Sequence, residues 1–75
     1  MQVLDACGLI CPMPVIRTQE RVATLASGEI LEIRCTDPGA LHDIPSWCRV
    51  NGHQCLSAHD GDDDIVIRIR VGDTD

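Results

Sequence analysis

One sulfur in this chain is set apart by its neighbours. In Cys11-Pro12-Met13-Pro14 a thiol stands directly before two prolines. Proline is tolerated in the first turn of a helix, where its missing N–H had no partner in any case and its fixed φ suits the turn. The spacing therefore predicts a helix from Pro12 to about Ala26, with Cys11 at or beside its N-cap. Unpaired N–H groups and the positive end of the helix dipole favour an anion there. A thiolate is such an anion, so the sequence predicts a lowered pKa for Cys11, by under about one unit. The chemistry expected of such a thiol is nucleophilic attack, with no separate general base marked by spacing.

The other chemically capable residues form weaker patterns. Cys7 supplies a second thiol four positions earlier. Cys7-x3-Cys11 is not the C-x-x-C spacing of redox sites or zinc knuckles. The two could still join as a disulfide if their Cα atoms lie within ~7 Å. A small residue after a strand is the plainer reading of Cys7. Cys35, Cys48 and Cys55 fall on predicted strands and a helix, where structural roles are expected. Cys48, His53, Cys55 and His59 could be assembled into a metal site, but no pair has zinc-finger spacing, so no metal is expected. The chain shows no carboxylate pair for acid–base work, no phosphate loop and no nucleophile elbow.

The composition narrows the function classes. Six basic residues, all arginine, face twelve acidic ones for a net charge of −6. Direct nucleic-acid binding is not expected, because it needs a basic surface. Trp47 is the sole aromatic residue, so stacking platforms for bases are missing too. An acidic protein suits meetings with basic patches on protein partners. No basic leader and no run of ~18 apolar residues is visible, so no membrane association is expected and the location is expected to be cytoplasmic. Five cysteines, an odd number, are expected to stay thiols in a reducing cytosol.

Periodicity predicts the framework around Cys11. Residues 1–75 are expected to form a single domain with a thin core, since a chain this short buries only about 60% of its unfolded surface. Gln2 to Asp5 is a short strand with Val3 and Leu4 as its apolar pair, and Gly8 turns the chain. On the first helix Val15, Val22 and Ala26 share a face with Ile16 and Ala23 beside them, though Gln19 interrupts it. Arg17 and Glu20 can pair on the outside, and Gly28 follows the helix. Glu29 to Thr36 alternates, with Leu31, Ile33 and Cys35 inward and Glu32 and Arg34 outward. Asp37-Pro38-Gly39 forms a turn in which Asp37 can cap nearby N–H groups.

A second helix spans about Ala40 to Asn51, with Leu41, Ile44, Trp47, Cys48 and Val50 on its apolar side. Pro45 implies either a start nearer Asp43 or a kink. His53 to His59 is a third strand, Asp60 to Asp63 a hairpin loop, and Asp64 to Val71 a fourth strand with Ile65, Ile67, Ile69 and Val71 inward. Gly72 to Asp75 is expected to fray. The order β-α-β-α-β-β predicts an α/β two-layer sandwich: a four-stranded mixed sheet with both helices on one face. The open face would carry Glu32, Arg34, Arg68 and Arg70.

Taken together, Leu4-Asp5, Gly8-Leu9, Cys11-Pro12-x-Pro14, Gly28-Glu29, Asp37-Pro38, Asp43-Ile44-Pro45 and Gly52-His53 resemble the TusA/SirA-like sulfur carrier proteins over nearly the whole chain. The resemblance implies a sandwich similar to the C-terminal domain of bacterial translation initiation factor 3. It implies that Cys11 carries a sulfane sulfur as a covalent persulfide, with no other cofactor, and that Pro12, Pro14, Asp37 and Pro38 support the site as motif residues. It further implies a cysteine desulfurase or rhodanese-like donor and a TusBCD- or DsrEFH-like acceptor, serving tRNA 2-thiolation or sulfur oxidation; other members are linked to molybdenum-cofactor supply or selenium metabolism. Such a protein is a relay partner rather than a stand-alone enzyme. Two positions depart from the pattern: Ile10 stands where some carriers have arginine, and Cys7 where a residue other than cysteine is usual. A thiol–disulfide protein using Cys7 and Cys11, and a binding module using the arginine-bearing sheet face, are the alternatives.

Overall fold

The computed structural model describes residues 1–73. Six elements occur in the expected order: β1 (Gln2–Ala6), α1 (Met13–Val22), β2 (Ile30–Cys35), α2 (Ala40–Asn51), β3 (Gln54–Asp60) and β4 (Ile65–Arg70). The four strands form one mixed sheet in the order β1-β2-β4-β3. β1 pairs in parallel with β2, and β4 lies antiparallel between β2 and β3. Strands β2 and β3 therefore run the same way with β4 inserted between them. Val22 of α1 and Ala40, Ile44 and Cys48 of α2 join the inward residues of the sheet in a single apolar cluster, and the helices touch each other, so both cover the same face.

The alternation in β2 and β4 decides the core. Leu31, Ile33, Cys35, Ile65, Ile67, Ile69 and Val71 are buried as their period-2 pattern requires. Against them α2 lays Ala40, Ile44 and Cys48. Val50, expected on this apolar side, instead points to solvent, 83% exposed. Residue 50 is two positions past Cys48, about 200° around the helix. Gly52 takes φ 79° and ends α2, and the N–H of His53 donates to the Cys48 carbonyl at 2.8 Å. Pro45 lies inside α2, which starts at Ala40 all the same.

Three local expectations are corrected. In β1 the inward pair is Leu4 and Ala6, while Val3 is exposed. The pairing of β1 with β2 in the register Leu4↔Ile33 and Ala6↔Cys35 places those two residues over the core. In α1 the fully buried row is Pro14, Thr18 and Val22; of the expected face, Val22 is buried and Val15 half-buried against the core, while Ala26 is exposed beyond the helix. Thr18 is fully buried because its hydroxyl donates to the Pro14 carbonyl at 2.8 Å, which leaves only its methyl to pack. Gln19 is thereby turned outward. The helix also stops at Val22, not Ala26. The Thr24 N–H and hydroxyl both donate to the Arg21 carbonyl, at 3.0 and 2.7 Å, which tightens the last turn and ends the ladder. The expected pair Arg17–Glu20 is present at 3.9 Å.

The open face holds a charged cluster. Glu32 stands opposite Arg68 in the β2–β4 register and is only 4% exposed. Arg68 Nε donates to Glu32 Oε1 at 2.9 Å, and Arg34 Nε to Oε2 at 3.0 Å. These two bonds hold the Glu32 carboxyl below the usual range. The expected fraying after Val71 does not extend to residues 72 and 73. The Gly72 N–H donates to His53 Nδ1 at 3.0 Å, and the Ser27 hydroxyl to Asp73 at 2.8 Å. A Cβ at position 72 would collide with the Gly52 carbonyl, so the chain can pass there only as glycine. Thr74 and Asp75, the rest of that expected tail, lie outside the described residues.

Two measurements check this account. Ile44→Ala should lower unfolding free energy in urea by about 2–5 kcal/mol, the usual cost of truncating a fully buried isoleucine; a loss well under 1 kcal/mol would show that Ile44 does not seal the core. The stability contributed by ionised Glu32 should be present above the ordinary glutamate pKa of about 4.3 and vanish as pH falls through its lowered folded value. The stability gap between the native chain and Glu32→Gln should therefore be open at neutral pH and close in acid. A gap independent of pH would contradict the ion cluster.

Candidate functional site

Cys11 lies in the loop between β1 and α1, immediately before Pro12, the N-cap of α1. Its side chain is exposed, as expected. The Cys11–Pro12 peptide bond is cis. The loop is held by contacts distant in sequence. The Gly8 N–H donates to the Thr36 hydroxyl at 2.9 Å, and the Cys11 N–H donates to Asp37 Oδ2 at 2.7 Å. The other Asp37 oxygen accepts the Gly39 N–H at 3.2 Å. Asp37 thus caps its own turn, as its sequence position suggested, and also clasps the backbone of the candidate nucleophile 26 residues away.

A second carboxylate reaches the sulfur itself. Cys11 Sγ donates to Asp43 Oδ2 at 3.2 Å. Asp43 belongs to the first turn of α2. The two acids flank Gly39: a Cβ built there would lie 3.6 Å from Asp37 Oδ1 and 3.7 Å from Asp43 Oδ2. The site is therefore the meeting point of two helix starts, with the thiol supplied by the first and both carboxylates by the second and its leading turn.

The expected lowering of the Cys11 pKa is overturned. The hydrogen bond to Asp43 comes first, followed by partial desolvation and the charges of Asp43 and Asp37; together they push the thiol above its ordinary range. The helix dipole is a fractional charge spread over the first turn, whereas Asp43 is a full charge in contact with the sulfur. Most of the donors that an anion would use are also spent or missing. The Cys11 N–H is taken by Asp37, the Met13 N–H donates to the Ile10 carbonyl at 2.8 Å, and Pro12 and Pro14 have none. The same prolines that mark the helix start in sequence thin out its anion-binding N–H groups, of which that of Val15 keeps no backbone acceptor. Pro14, in addition, is buried against the core and anchors the first turn.

The remaining sequence candidates fall elsewhere. Cys7 is an exposed free thiol just past β1. Desolvation first, then the Asp5 carboxylate, push its pKa up, while the Cys7 N–H donates to Asp5 at 3.0 Å. Burial pushes Cys35 and Cys48 up to about 11, which fits inert core thiols. His53 stacks on Trp47 with ring centroids 5.0 Å apart and accepts the Gly72 N–H, so it pins the end of β4. Among the described residues no group of three or more histidine, cysteine or acidic side chains is placed to hold a metal ion. Among the same residues no helix is long and apolar enough to cross a membrane. Sequence reasoning missed the role of Asp43. Its one signal was the Asp43-Ile44-Pro45 run, which carries no spacing that would join it to Cys11.

Comparison with known proteins gives a consistent result. The family model described as sulfurtransferase TusA matches residues 2–71. YrkI of Bacillus subtilis, which carries the name of a sulfur carrier protein, is 44% identical over 71 residues, covering 95% of each chain. The sulfur carrier protein TusA of Pseudomonas putida is 46% identical over 54 residues, 72% of this chain and 68% of its own. The crystal structure of a SirA-like protein from Desulfitobacterium hafniense superposes with a TM-score of 0.84 at 25% identity, covering 97% of this chain and all of that one.

In a Cys7→Ser background, the alkylation rate of Cys11 by iodoacetamide should rise with pH through a midpoint above the ordinary cysteine value of about 8.5. A midpoint at or below that value would show that the two carboxylates do not govern the sulfur.

Proposed function

The chain belongs to the sulfurtransferase TusA family and is a sulfur carrier protein, and from that premise we propose that Cys11 is the residue on which the sulfur travels, as a persulfide. The observation that carries this reading is the exposed, free Cys11 thiol on a loop anchored at both Gly8 and Cys11. A relay needs a sulfur that other proteins can reach on a backbone that does not move. Cys35 and Cys48 are buried and cannot serve.

Loading is a sulfur exchange with no net redox change. Cys11 Sγ attacks the outer sulfur of a donor persulfide. A new S–S bond forms on Cys11, the donor's S–S bond breaks, and its electron pair stays on the donor's inner sulfur, which takes up the proton released by Cys11. Unloading repeats the exchange with an acceptor thiol attacking the outer sulfur now on Cys11. The persulfide is the only prosthetic chemistry required. A cysteine desulfurase or a rhodanese-like protein is the proposed donor class, and a TusBCD- or DsrEFH-like protein the acceptor class, acting in tRNA thiolation or sulfur oxidation in a reducing cytosol. On this reading the chain works as a relay partner between donor and acceptor proteins.

After incubation with a cysteine desulfurase and free cysteine, intact mass spectrometry should show one added sulfur that a reductant removes. Cys11→Ser should abolish the adduct and Cys7→Ser should retain it. Undiminished loading of Cys11→Ser would end the assignment.

A further inference from the structure

We propose that Asp43 makes loading selective: by accepting the Sγ–H hydrogen bond it holds the Cys11 proton in the free carrier, and a donor that presents a cationic side chain to Asp43 frees the sulfur to attack. The inference rests on the reading that Cys11 carries the sulfur. It concerns the kind of protein surface that can load it.

The geometry leaves the sulfur without a cation of its own. The charged groups that bear on it are Asp43, from α2, and Asp37, from the turn before α2. The first turn of α1 has no acidic residue, and residues 13–16 are all uncharged. No arginine is among the charges that bear on the sulfur: Arg21 reaches Gln2 and the Val3 carbonyl, Arg70 reaches Gln54, and Arg49 stands in the last turn of α2. Arg34 and Arg68 bind Glu32 on the opposite face of the sheet, and Arg17 pairs with Glu20. A cation for Asp43 must then come from outside.

The surface around the sulfur suits such a visitor. Ile10, next to Cys11, is 74% exposed, an apolar side chain with no intramolecular reason to face water. A partner covering Ile10 would exclude water from the same spot and strengthen every charge interaction there. An arginine or lysine placed against Asp43 would then compete for the carboxylate oxygen that Sγ now uses. Released from that bond, the thiol ionises more readily and attacks the donor's outer sulfur. The Cys11 proton passes to the donor's departing inner sulfur, so the exchange stays balanced. Small persulfides without a cation meet a thiol still tied to Asp43, and the carrier is protected from them.

The test uses the full chain in a Cys7→Ser background and compares it with Asp43→Asn. Three rates are measured: alkylation by iodoacetamide across pH, loading by N-acetylcysteine persulfide, which has no ammonium group, and loading by a cysteine desulfurase with cysteine. Asp43→Asn should alkylate severalfold faster near neutral pH, with its midpoint moved lower, since a lower pKa leaves more of the sulfur as thiolate. N-acetylcysteine persulfide loading should rise by a similar factor, while desulfurase loading rises less, so the preference for the protein donor falls. Unchanged or slower alkylation overturns the proposal, and so does an unchanged preference. If Asp43→Asn does not fold by urea titration, Asp43→Ser is judged by the same criteria. Failure here with Cys11→Ser still unable to load rejects the role of Asp43 alone; loading of Cys11→Ser rejects the carrier assignment beneath it.

Discussion

The site depends on one carboxylate with two backbone partners. Asp37 takes the Cys11 N–H on one oxygen and the Gly39 N–H on the other. That bridge ties the loop before α1 to the turn before α2. Without it, the thiol would hang on a short glycine-containing connection with Thr36 as its other anchor. A hydrogen bond from an N–H to an ionised acceptor is among the stronger kinds. Placed where two helices begin, it turns a surface loop into a fixed platform for a reactive atom.

The rest of the fold brings the two loops within reach. β1 and β2 run parallel and adjacent, so the chain leaves both strands at the same end of the sheet. The loop after β1 and the turn after β2 are neighbours for that reason alone. Both helices lie on one face and touch, which brings the first turn of α2 beside the start of α1. The buried row Pro14, Thr18 and Val22 sets the rotation of α1, and Ile44 sets that of α2 with Asp43 one position before it. Core packing thus aims Asp43 at the sulfur. On the other side of the sheet Glu32 gathers two arginines into a local cluster. That cluster leaves the open face less available as a basic docking surface than its arginine count suggests.

A carrier faces opposed requirements. Its sulfur must be reachable by large partners, yet it must not react with every persulfide or oxidant it meets. Exposure meets the first requirement. The two carboxylates bear on the second, because they favour the protonated thiol. An enzyme would commonly place a base and an enclosed pocket around such a nucleophile. Here the immediate surroundings are acidic and open.

The sequence alone was sufficient for the element order, the two-layer architecture, the inward rows of β2 and β4, the bounds of α2 and the exposed position of Cys11. All of these rest on short-range physics: side chains alternate every two residues in a strand, proline sits in a first turn, and glycine ends a helix. The resemblance also identified the family from motifs spread along the chain. The tertiary structure decided the charge environment of the thiol, and it reversed the expected direction of its pKa. The partners responsible, Asp37 and Asp43, lie 26 and 32 residues from Cys11, beyond the reach of any periodicity. The rotation of α1 was hidden for a related reason. Thr18 counts as polar in a sequence pattern, and only its hydrogen bond to the Pro14 carbonyl makes it a core residue. Local patterns report what a residue does to its neighbours in the chain, whereas proton affinity depends on which charges the fold brings into contact.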